Sequence, residues 1–258
     1  MYRGLRVAVV IPAHNEARLL PVTLAGLPSW VDRVVVVDDG STDATAEVAV
    51  RDARVDLQRH ALNRGVGGAI VTGYRRALAL GADCAVVVGA DAQMDPSEMS
   101  RLIDPVVEGV ADYVKGDRLG HPAVRRVMPW VRLVGNHALS WLTKFSSGYG
   151  HLRDSQCGYT ALSARALHRL PLDDLYPRYG FPNDLLAKLA EIDARVVDRP
   201  VTPIYGDERS GIRPWRVVLP IAWLLCRSGW RRAWRQRQGA RTAALAAPEI
   251  LPSPGDAG

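Results

Sequence analysis

Two adjacent carboxylates end the most apolar run of this 258-residue chain. In VVVVDDGSTDAT, residues 34–45, four valines lead directly into Asp38 and Asp39. Paired carboxylates repel each other and resist burial, so their position after a buried segment needs a partner. They could accept hydrogen bonds from N–H groups or ribose hydroxyls of a ligand. The alternative is a capped turn, because aspartates after strands commonly form turns or cap helices.

A second group of oxygen ligands follows another apolar run, CAVVVGA. The next residues, DAQMDP, place Asp91, Gln93 and Asp95 at alternate positions. In an extended loop, residues two apart point the same way, so Asp91 and Gln93 can share one ion. Carboxylate and amide oxygens suit Mg²⁺ or Mn²⁺, which bind substrate phosphates. The spacing predicts a divalent metal bridged to a nucleotide diphosphate, with Asp95 either assisting or capping the helix after Pro96.

The elements that must position these groups alternate along the first half of the chain. Short valine-rich runs alternate with longer amphipathic segments, which predicts an α/β fold with a Rossmann-like, mostly parallel sheet flanked by helices. The predicted strands are 7–11, 34–37, 85–88, 113–115, 158–162 and 195–201, and the predicted helices are 16–27, 42–51, 67–80, 124–144, 181–189 and 213–235. Ser41 or Thr42 is the predicted N-cap of the second helix. Ligands of such sheets bind at the carboxyl ends of strands, so both acidic groups should share one edge.

Composition restricts the class of protein. The chain is 48% hydrophobic and 23% charged, as expected for one globular α/β domain. Its three cysteines show no zinc or disulfide spacing, which favours a reducing compartment. The first residues do not resemble a signal peptide. The late apolar run 217–226 is about half as long as a bilayer crossing requires. We therefore expect a cytoplasmic protein.

Six segments together resemble family 2 glycosyltransferases of the GT-A fold. VVIPAHNE, VVVVDDGSTDAT and GADAQMDP are similar to that family's opening strand, its most recognisable motif and its metal-binding motif. The chain also resembles polyprenyl-phosphate sugar synthases of the dolichol-phosphate mannose synthase type. This resemblance lies in the form of GADAQMDP and in the segments KGDRL, DSQCGYTAL and YGDERSGIR. The resemblance covers roughly residues 7–213. It implies a GT-A sugar transferase that uses a UDP- or GDP-linked donor.

The resemblance also implies roles for individual residues. The implied donor-binding residues are Pro12, His14, Glu16, Val37, Asp39, Ala90, Asp91, Arg118 and Arg209. Asp39 would accept hydrogen bonds from the base, while Asp38 pairs or caps locally. Asp91 and Gln93 would hold the metal. Gly89 stands where the family motif has its first aspartate, so one expected carboxylate is absent.

The implied reaction is a single displacement with inversion, and Asp91, Asp154 and Asp184 are the implied catalytic residues. Asp154 aligns with an aspartate of the lipid-phosphate subgroup that orients acceptor or metal. A polyprenyl phosphate acceptor is already ionised and needs only positioning, whereas a hydroxyl acceptor requires a base. The alternatives are therefore a soluble hydroxyl-bearing acceptor, with Asp184 as base, or a non-catalytic nucleotide-sugar-binding module.

The C-terminal part is strongly basic. The formal charge of the chain is +6, and arginines crowd residues 209–241. We expect a domain over 1–212, an amphipathic helix with tryptophans and arginines over 213–238, and a disordered tail over 239–258. Such a helix suits peripheral contact with the inner face of a membrane, or packing on the domain with a solvated basic face. No recognition fold for nucleic acid accompanies it.

Overall fold

A computed structural model describes residues 1–204 and 230, apart from the side chains of residues 125, 131 and 132. Its centre is a seven-stranded sheet in the order β3-β2-β1-β4-β6-β5-β7. The strands are β1 (Val7–Ala13), β2 (Arg33–Asp38), β3 (Val55–Arg59), β4 (Cys84–Val87), β5 (Tyr113–Asp117), β6 (Thr160–Ser163) and β7 (Val196–Pro200). β6 runs antiparallel to both of its neighbours, and the other pairs are parallel. The expected mostly parallel α/β sheet is confirmed.

Helices cover both faces of this sheet. They are α1 (Leu20–Gly26), α2 (Thr45–Ala49), α3 (Val66–Ala79), α4 (Met99–Val107), α5 (Val124–Val127), α6 (Trp130–Ser147), α7 (Ala164–Leu167) and α8 (Phe181–Glu191). Two 3-10 turns lie at Pro96–Glu98 and Leu172–Asp174. None of the helices within the described residues is long and apolar enough to cross a membrane.

The valine-rich strands are buried on both faces because their side chains alternate between two cores. Val9 and Ile11 of β1 belong to the cluster that contains residues of α1 and α4, whereas Val10 packs with residues of α3 and α8. α3 lies very close to the sheet: a Cβ added to Gly73 would lie 2.1 Å from Cγ1 of Val10. The glycine therefore allows helix and strand to approach each other.

The structure corrects several predicted elements. β3 and α4 were not expected from the sequence. The single helix expected over 124–144 is divided into α5 and α6, because Met128 is extended and Pro129 precedes the first residue of α6. The predicted N-cap at Ser41 or Thr42 is wrong, since α2 begins after Ala44 and has no side-chain cap. Apart from Trp230, the predicted helix 213–235 lies outside the described residues, as do the tail and the domain boundary at 212.

Candidate active site

The sheet reverses its strand order at β1, where ligands of open α/β sheets bind. β2 and β3 lie to one side of β1, and β4 lies to the other. Asp39 follows β2, and Asp91 follows β4 after a short turn. Neighbouring strands are about 4.8 Å apart, so the ends of β2 and β4 are separated by roughly 10 Å. Both acidic groups therefore lie at one edge of the sheet, on either side of the end of β1.

Asp38 is buried and satisfied by nearby groups. Its Oδ1 accepts a hydrogen bond from the amide of Ser41 at 3.0 Å, and its Oδ2 accepts one from Nε of Arg59 at 3.1 Å. The first bond closes the turn after β2, and the second ties that turn to the end of β3. Asp38 thus caps and pairs locally, as expected from the sequence.

Asp39 has a different set of donors, although it is equally buried. Its Oδ1 accepts from Nδ1 of His60 at 2.6 Å and from the amide of Arg64 at 2.8 Å, and its Oδ2 accepts from the amide of Gly65 at 2.8 Å. On its other side, Nε2 of His60 lies 2.9 Å from the Thr72 hydroxyl. Separate donors for the two neighbouring carboxylates explain how both can be buried at the end of a valine strand. A carboxylate offers about four acceptor sites, so these three hydrogen bonds do not prevent Asp39 from accepting one from a ligand. Binding of a nucleotide base by Asp39 stays a prediction.

The loop after β1 is fastened to the loop after β2. Asn15 has a left-handed backbone, with φ of 58°, and its side-chain oxygen accepts from the amide of Thr42 at 2.8 Å. Nδ1 of exposed His14 donates to the carbonyl oxygen of Asp39 at 3.0 Å. The amide of Glu16 donates to the hydroxyl of the first residue of α2. Of these two predicted donor-binding residues, His14 therefore lies next to Asp39, and Glu16 lies beside the start of α2.

Beside Asp39 lies an open cleft of about 610 Å³ lined by residues 40–42 and 59–63. His60 lines it and also bonds to the Asp39 carboxylate. The cleft is formed where β2 and β3 end. Neither Asp39 nor Asp91 lines it.

Three other predicted donor-binding residues differ in their exposure. Pro12 is opposite Val37 in the pairing of β1 with β2, and it is partly exposed. Val37 is fully buried against Ala69 of α3, and Ala90 is buried in the core cluster of the opposite face. The side chains of Val37 and Ala90 therefore pack inside the protein, and only the Pro12 side chain is open to a ligand.

Asp91 and Gln93 lie in a compact loop after β4. Oδ1 of Asp91 accepts from the amide of Gln93 at 3.1 Å, and Ala92 between them is left-handed, with φ of 56°. Both Asp91 and Gln93 are partly exposed. The Asp95 side chain accepts instead from the amide of Ser97 at 2.9 Å. Asp95 thus caps the following 3-10 turn, which was the second of its two expected roles.

The chemistry of this loop fits a hard cation with few protein ligands. A Cβ added to Gly89 would lie 2.7 Å from Oδ1 of Asp91, so the glycine leaves space that the Asp91 carboxylate occupies. Within residues 1–204, no group of three or more His, Cys, Asp or Glu side chains is placed to hold a metal. Asp91 and Gln93 would therefore supply oxygen ligands to a metal that takes its remaining ligands from a diphosphate and water.

Arg118 and Asp154, which the sequence analysis treated separately, form one ion pair. Nε of Arg118 lies 2.8 Å from Oδ2 of Asp154, and its NH2 group lies 3.2 Å from Oδ1. The Asp154 side chain is fully buried, while that of Arg118 is 23% exposed. This two-point contact fixes the plane of the guanidinium group and leaves part of it at the surface. Donor binding by Arg118 stays a prediction, as does a role of Asp154 in orienting acceptor or metal.

Lys115 holds the loop that contains Asp154 and Cys157. It lies on β5, is 1% exposed, and its Nζ donates to the carbonyl oxygen of Cys157 at 2.5 Å. Burial lowers the pKa of Lys115 to about 8. Burial also raises the pKa of the Cys157 thiol, so this cysteine is packed and unreactive. Lys115 is thus a structural cation of the loop that carries Asp154.

Asp184 lies in the first turn of α8 and is 2% exposed. Its Oδ2 accepts a hydrogen bond from the amide of Tyr176 at 2.9 Å, so it holds the segment before the helix. Its role as a base for a hydroxyl acceptor stays a prediction. Arg209, the remaining predicted donor-binding residue, lies outside the described residues.

Sequence reasoning did not identify His60 or Gly65 as parts of the site. His60 follows β3, the strand that was not predicted, so nothing placed this residue at the sheet edge. The alternation of apolar and polar residues in VDLQR, residues 55–59, was the available signal. Gly65 belongs to the glycine-rich segment at the start of α3, and its φ of 95° lets its amide reach Asp39.

A mostly parallel sheet with acidic residues at its switch point fits a sugar transferase of the GT-A type, and the family comparison supports this class. The profile of the family described as "Glycosyl transferase family 2" matches residues 8–176. The chain belongs to this family of glycosyltransferases.

Curated relatives extend this assignment along the chain. A UDP-N-acetylglucosamine–dolichyl-phosphate N-acetylglucosaminyltransferase of Methanococcus voltae is 31% identical over 218 residues, covering 78% of this chain and 86% of the relative. An undecaprenyl-phosphate mannosyltransferase of Micrococcus luteus is 34% identical over 212 residues, covering 77% and 83%. By their names, both relatives act on a polyprenyl phosphate.

Solved structures support the fold. A glucosyl-3-phosphoglycerate synthase of Mycobacterium tuberculosis, crystallised with Mn²⁺, UDP and phosphoglyceric acid, superimposes with a TM-score of 0.66. It is 19% identical, and the match covers 88% of this chain and 79% of that chain. At this level of identity the likeness shows a common fold.

Proposed function

We propose that this enzyme transfers a sugar from a nucleoside diphosphate to a polyprenyl phosphate, with inversion at the anomeric carbon. The observation that carries the proposal is the position of Asp39 and Asp91 on either side of β1 at one edge of the sheet. The acceptor is inferred from the relatives named for dolichyl and undecaprenyl phosphate.

The donor would extend across this edge. The base would enter the cleft beside Asp39, and the diphosphate would lie toward Asp91 and Gln93. A bound Mg²⁺ or Mn²⁺ would stabilise the negative charge that develops on the leaving diphosphate. The solved relative that contains both Mn²⁺ and UDP supports this donor chemistry.

The transfer step itself requires little acid–base chemistry. An oxygen of the lipid phosphate attacks the anomeric carbon, and the bond from that carbon to the diphosphate oxygen breaks on the opposite face. Because the attacking phosphate is already ionised, no base has to remove a proton. Burial of the Asp184 carboxylate is in keeping with this. Arg118, held by Asp154, would orient a phosphate, and the enzyme would work at the cytoplasmic face of the membrane.

The test uses the full-length protein with UDP- and GDP-hexoses, detergent-dispersed undecaprenyl phosphate, and Mn²⁺, Mg²⁺ or EDTA. Mass spectrometry of the lipid extract should show a hexosyl lipid phosphate that requires a divalent metal. Asp91→Ala should lower the transfer rate about a hundredfold or more, because a ligand for developing charge is lost. Its free energy of unfolding should fall by no more than about 1 kcal/mol, because the partly exposed Asp91 side chain loses the hydrogen bond from the Gln93 amide.

Glu108→Ala is the matched control, because this exposed carboxylate ends α4, away from the carboxyl ends of the strands. It should transfer at the wild-type rate. Near-normal transfer by Asp91→Ala would refute the metal assignment. Tight donor binding without transfer to a lipid phosphate would instead favour a binding module, or another acceptor.

A further inference from the structure

Helix α1 directs one buried polar side chain, that of Thr23, toward the loop after β4. Thr23 is 3% exposed and lies on the face of α1 that packs in the core. Its hydroxyl accepts a hydrogen bond from the amide of Ala92 at 3.2 Å, and it donates a longer one to the carbonyl oxygen of Gly89 at 3.4 Å. We call residues 89–93 the metal loop. The Thr23 hydroxyl therefore contacts the metal loop at two points.

The backbone of the metal loop needs support from outside. Ala92 has a left-handed φ of 56°, which a residue with a Cβ adopts only at a cost in free energy. Within the loop, the Asp91 carboxylate accepts from the amide of Gln93. The amide of Ala92 is directed instead to α1, where Thr23 accepts its hydrogen bond. The Thr23 hydroxyl thus stabilises the left-handed residue that separates the two predicted metal ligands.

The segment that follows the metal loop is held from two other sides. The hydroxyl of Tyr159 on β6 donates to the carbonyl oxygen of Asp95 at 3.0 Å. The end of α1 approaches the next turn closely, since a Cβ added to Gly26 would lie 3.1 Å from Cγ of Pro96. These contacts fix the chain after the loop, and the contact with Thr23 fixes the loop itself.

The same helix begins beside the other half of the candidate site. His14, in the loop before α1, donates from Nδ1 to the carbonyl oxygen of Asp39. Thr23, in the middle of α1, contacts Ala92. The chain from the end of β1 through α1 therefore contacts both the loop of the predicted base ligand and the metal loop. A displacement of the metal loop from α1 would change the separation of these two parts of the site.

We propose that Thr23 is a positioning residue for the divalent metal, because its hydroxyl fixes the loop that carries Asp91 and Gln93. The proposal rests on the proposed function, in which these two residues supply oxygen ligands to the ion. Gly89 stands where a further carboxylate is expected, so the affinity for the metal depends on the correct placement of few protein ligands. Removal of a group that orients metal ligands typically lowers metal affinity or activity by about 10–100-fold.

The test measures Mn²⁺ binding to the full-length protein by electron paramagnetic resonance, with saturating UDP or GDP and without acceptor. A protein-free blank corrects for Mn²⁺ that the nucleotide binds alone. Thr23→Val replaces the hydroxyl by a methyl group and should weaken Mn²⁺ binding roughly tenfold. Thr23→Ala should show the same loss without placing a methyl group against the metal loop. Thr23→Ser keeps the hydroxyl and should bind Mn²⁺ with close to the wild-type affinity.

Thr143→Val is the matched control. This threonine is 1% exposed on α6, and its hydroxyl bonds to the carbonyl oxygen of Leu139 and the side-chain oxygen of Asn183. Its Mn²⁺ affinity should equal that of the wild type. In the transfer assay, Thr23→Ala should need roughly tenfold more Mn²⁺ for half-maximal rate, while the rate at saturating Mn²⁺ changes much less. A role of Thr23 in packing alone would not change this metal requirement.

Equal Mn²⁺ affinity in the wild type and Thr23→Ala would overturn the proposal. An equal loss of affinity in Thr23→Ser would also overturn it, because the effect would then come from packing of the side chain and not from the hydroxyl. Mn²⁺ binding is measured without acceptor, so the comparison holds even if no sugar is transferred to a lipid phosphate. A wild type that binds no Mn²⁺ would instead refute the metal assignment of the proposed function, and the role of Thr23 with it.

Discussion

Replacing Lys115 by methionine tests whether a buried cation supports the loop that carries Asp154. Methionine has a similar length and no charge. Lys115 is 1% exposed, and burial lowers its pKa from 10.5 to about 8. Each pKa unit corresponds to about 1.4 kcal/mol, so keeping this charge costs the folded protein about 3 kcal/mol at neutral pH.

The sign of the pH dependence follows from which state binds more protons. Below pH 8 both states are protonated, and the cost is fully present. Between pH 8 and 10.5 the folded protein has lost the Lys115 proton while the unfolded chain keeps it. The free energy of unfolding of the wild type should therefore rise relative to Lys115→Met, by about 2 kcal/mol between about pH 7 and 9.5.

Urea unfolding followed by circular dichroism at several pH values measures this difference. Buried cysteines and tyrosines also titrate differently in the folded and unfolded states. Burial raises the pKa of the Cys84 thiol to about 12, and it raises the pKa of Tyr74 further. They are present in both proteins and cancel in the comparison. The lost hydrogen bond to the Cys157 carbonyl adds a constant offset of about 1–3 kcal/mol. A difference that does not vary with pH would refute the reasoning.

Two further substitutions test the pairs that hold the site. Arg118→Ala should lower the free energy of unfolding by about 3–5 kcal/mol and reduce the transfer rate, because it leaves the buried Asp154 carboxylate without its cation. Urea unfolding should show partial recovery in Arg118→Ala/Asp154→Asn, and no recovery would contradict the buried-charge explanation. His60→Ala should raise the donor KM roughly tenfold, because the Asp39 carboxylate loses one of its three donors. His60→Gln should restore part of that loss in steady-state kinetics, and an unchanged KM in His60→Ala would remove this histidine from the donor site.

The sequence predicted the part of the fold that depends on regular periodicity. Consecutive valines and 3.6-residue spacing identified β1, β2, β4 and α3, and these elements position both acidic groups. β3 escaped notice because it is a half-buried edge strand of five residues, and the structure shows its residues as partly exposed. The antiparallel direction of β6 could not be read from periodicity, because a buried strand has the same pattern in either direction.

The candidate site was predictable where residue type alone carries the chemistry. Asp39, Asp91 and Gln93 were identified from their positions after apolar runs. The partnership of Arg118 with Asp154 was not, because it joins residues 36 positions apart in two loops. For Val37 and Ala90, the motif was a poor guide to the position of the side chain. Their places in motifs suggested ligand contact, while their apolar side chains are used for packing.

A charged or polar side chain in a buried position conflicts with ordinary folding preferences. It points to a function only when no neighbouring group in the protein stabilises it. Asp38 and Asp39 follow a buried strand, but each has its own donors in the protein. Lys115 is buried, but the carbonyl oxygen of Cys157 accepts from it. The buried hydroxyls of α6 follow the same rule, because the Ser155 amide donates to Ser140 and the Asn183 side-chain oxygen accepts from Thr143.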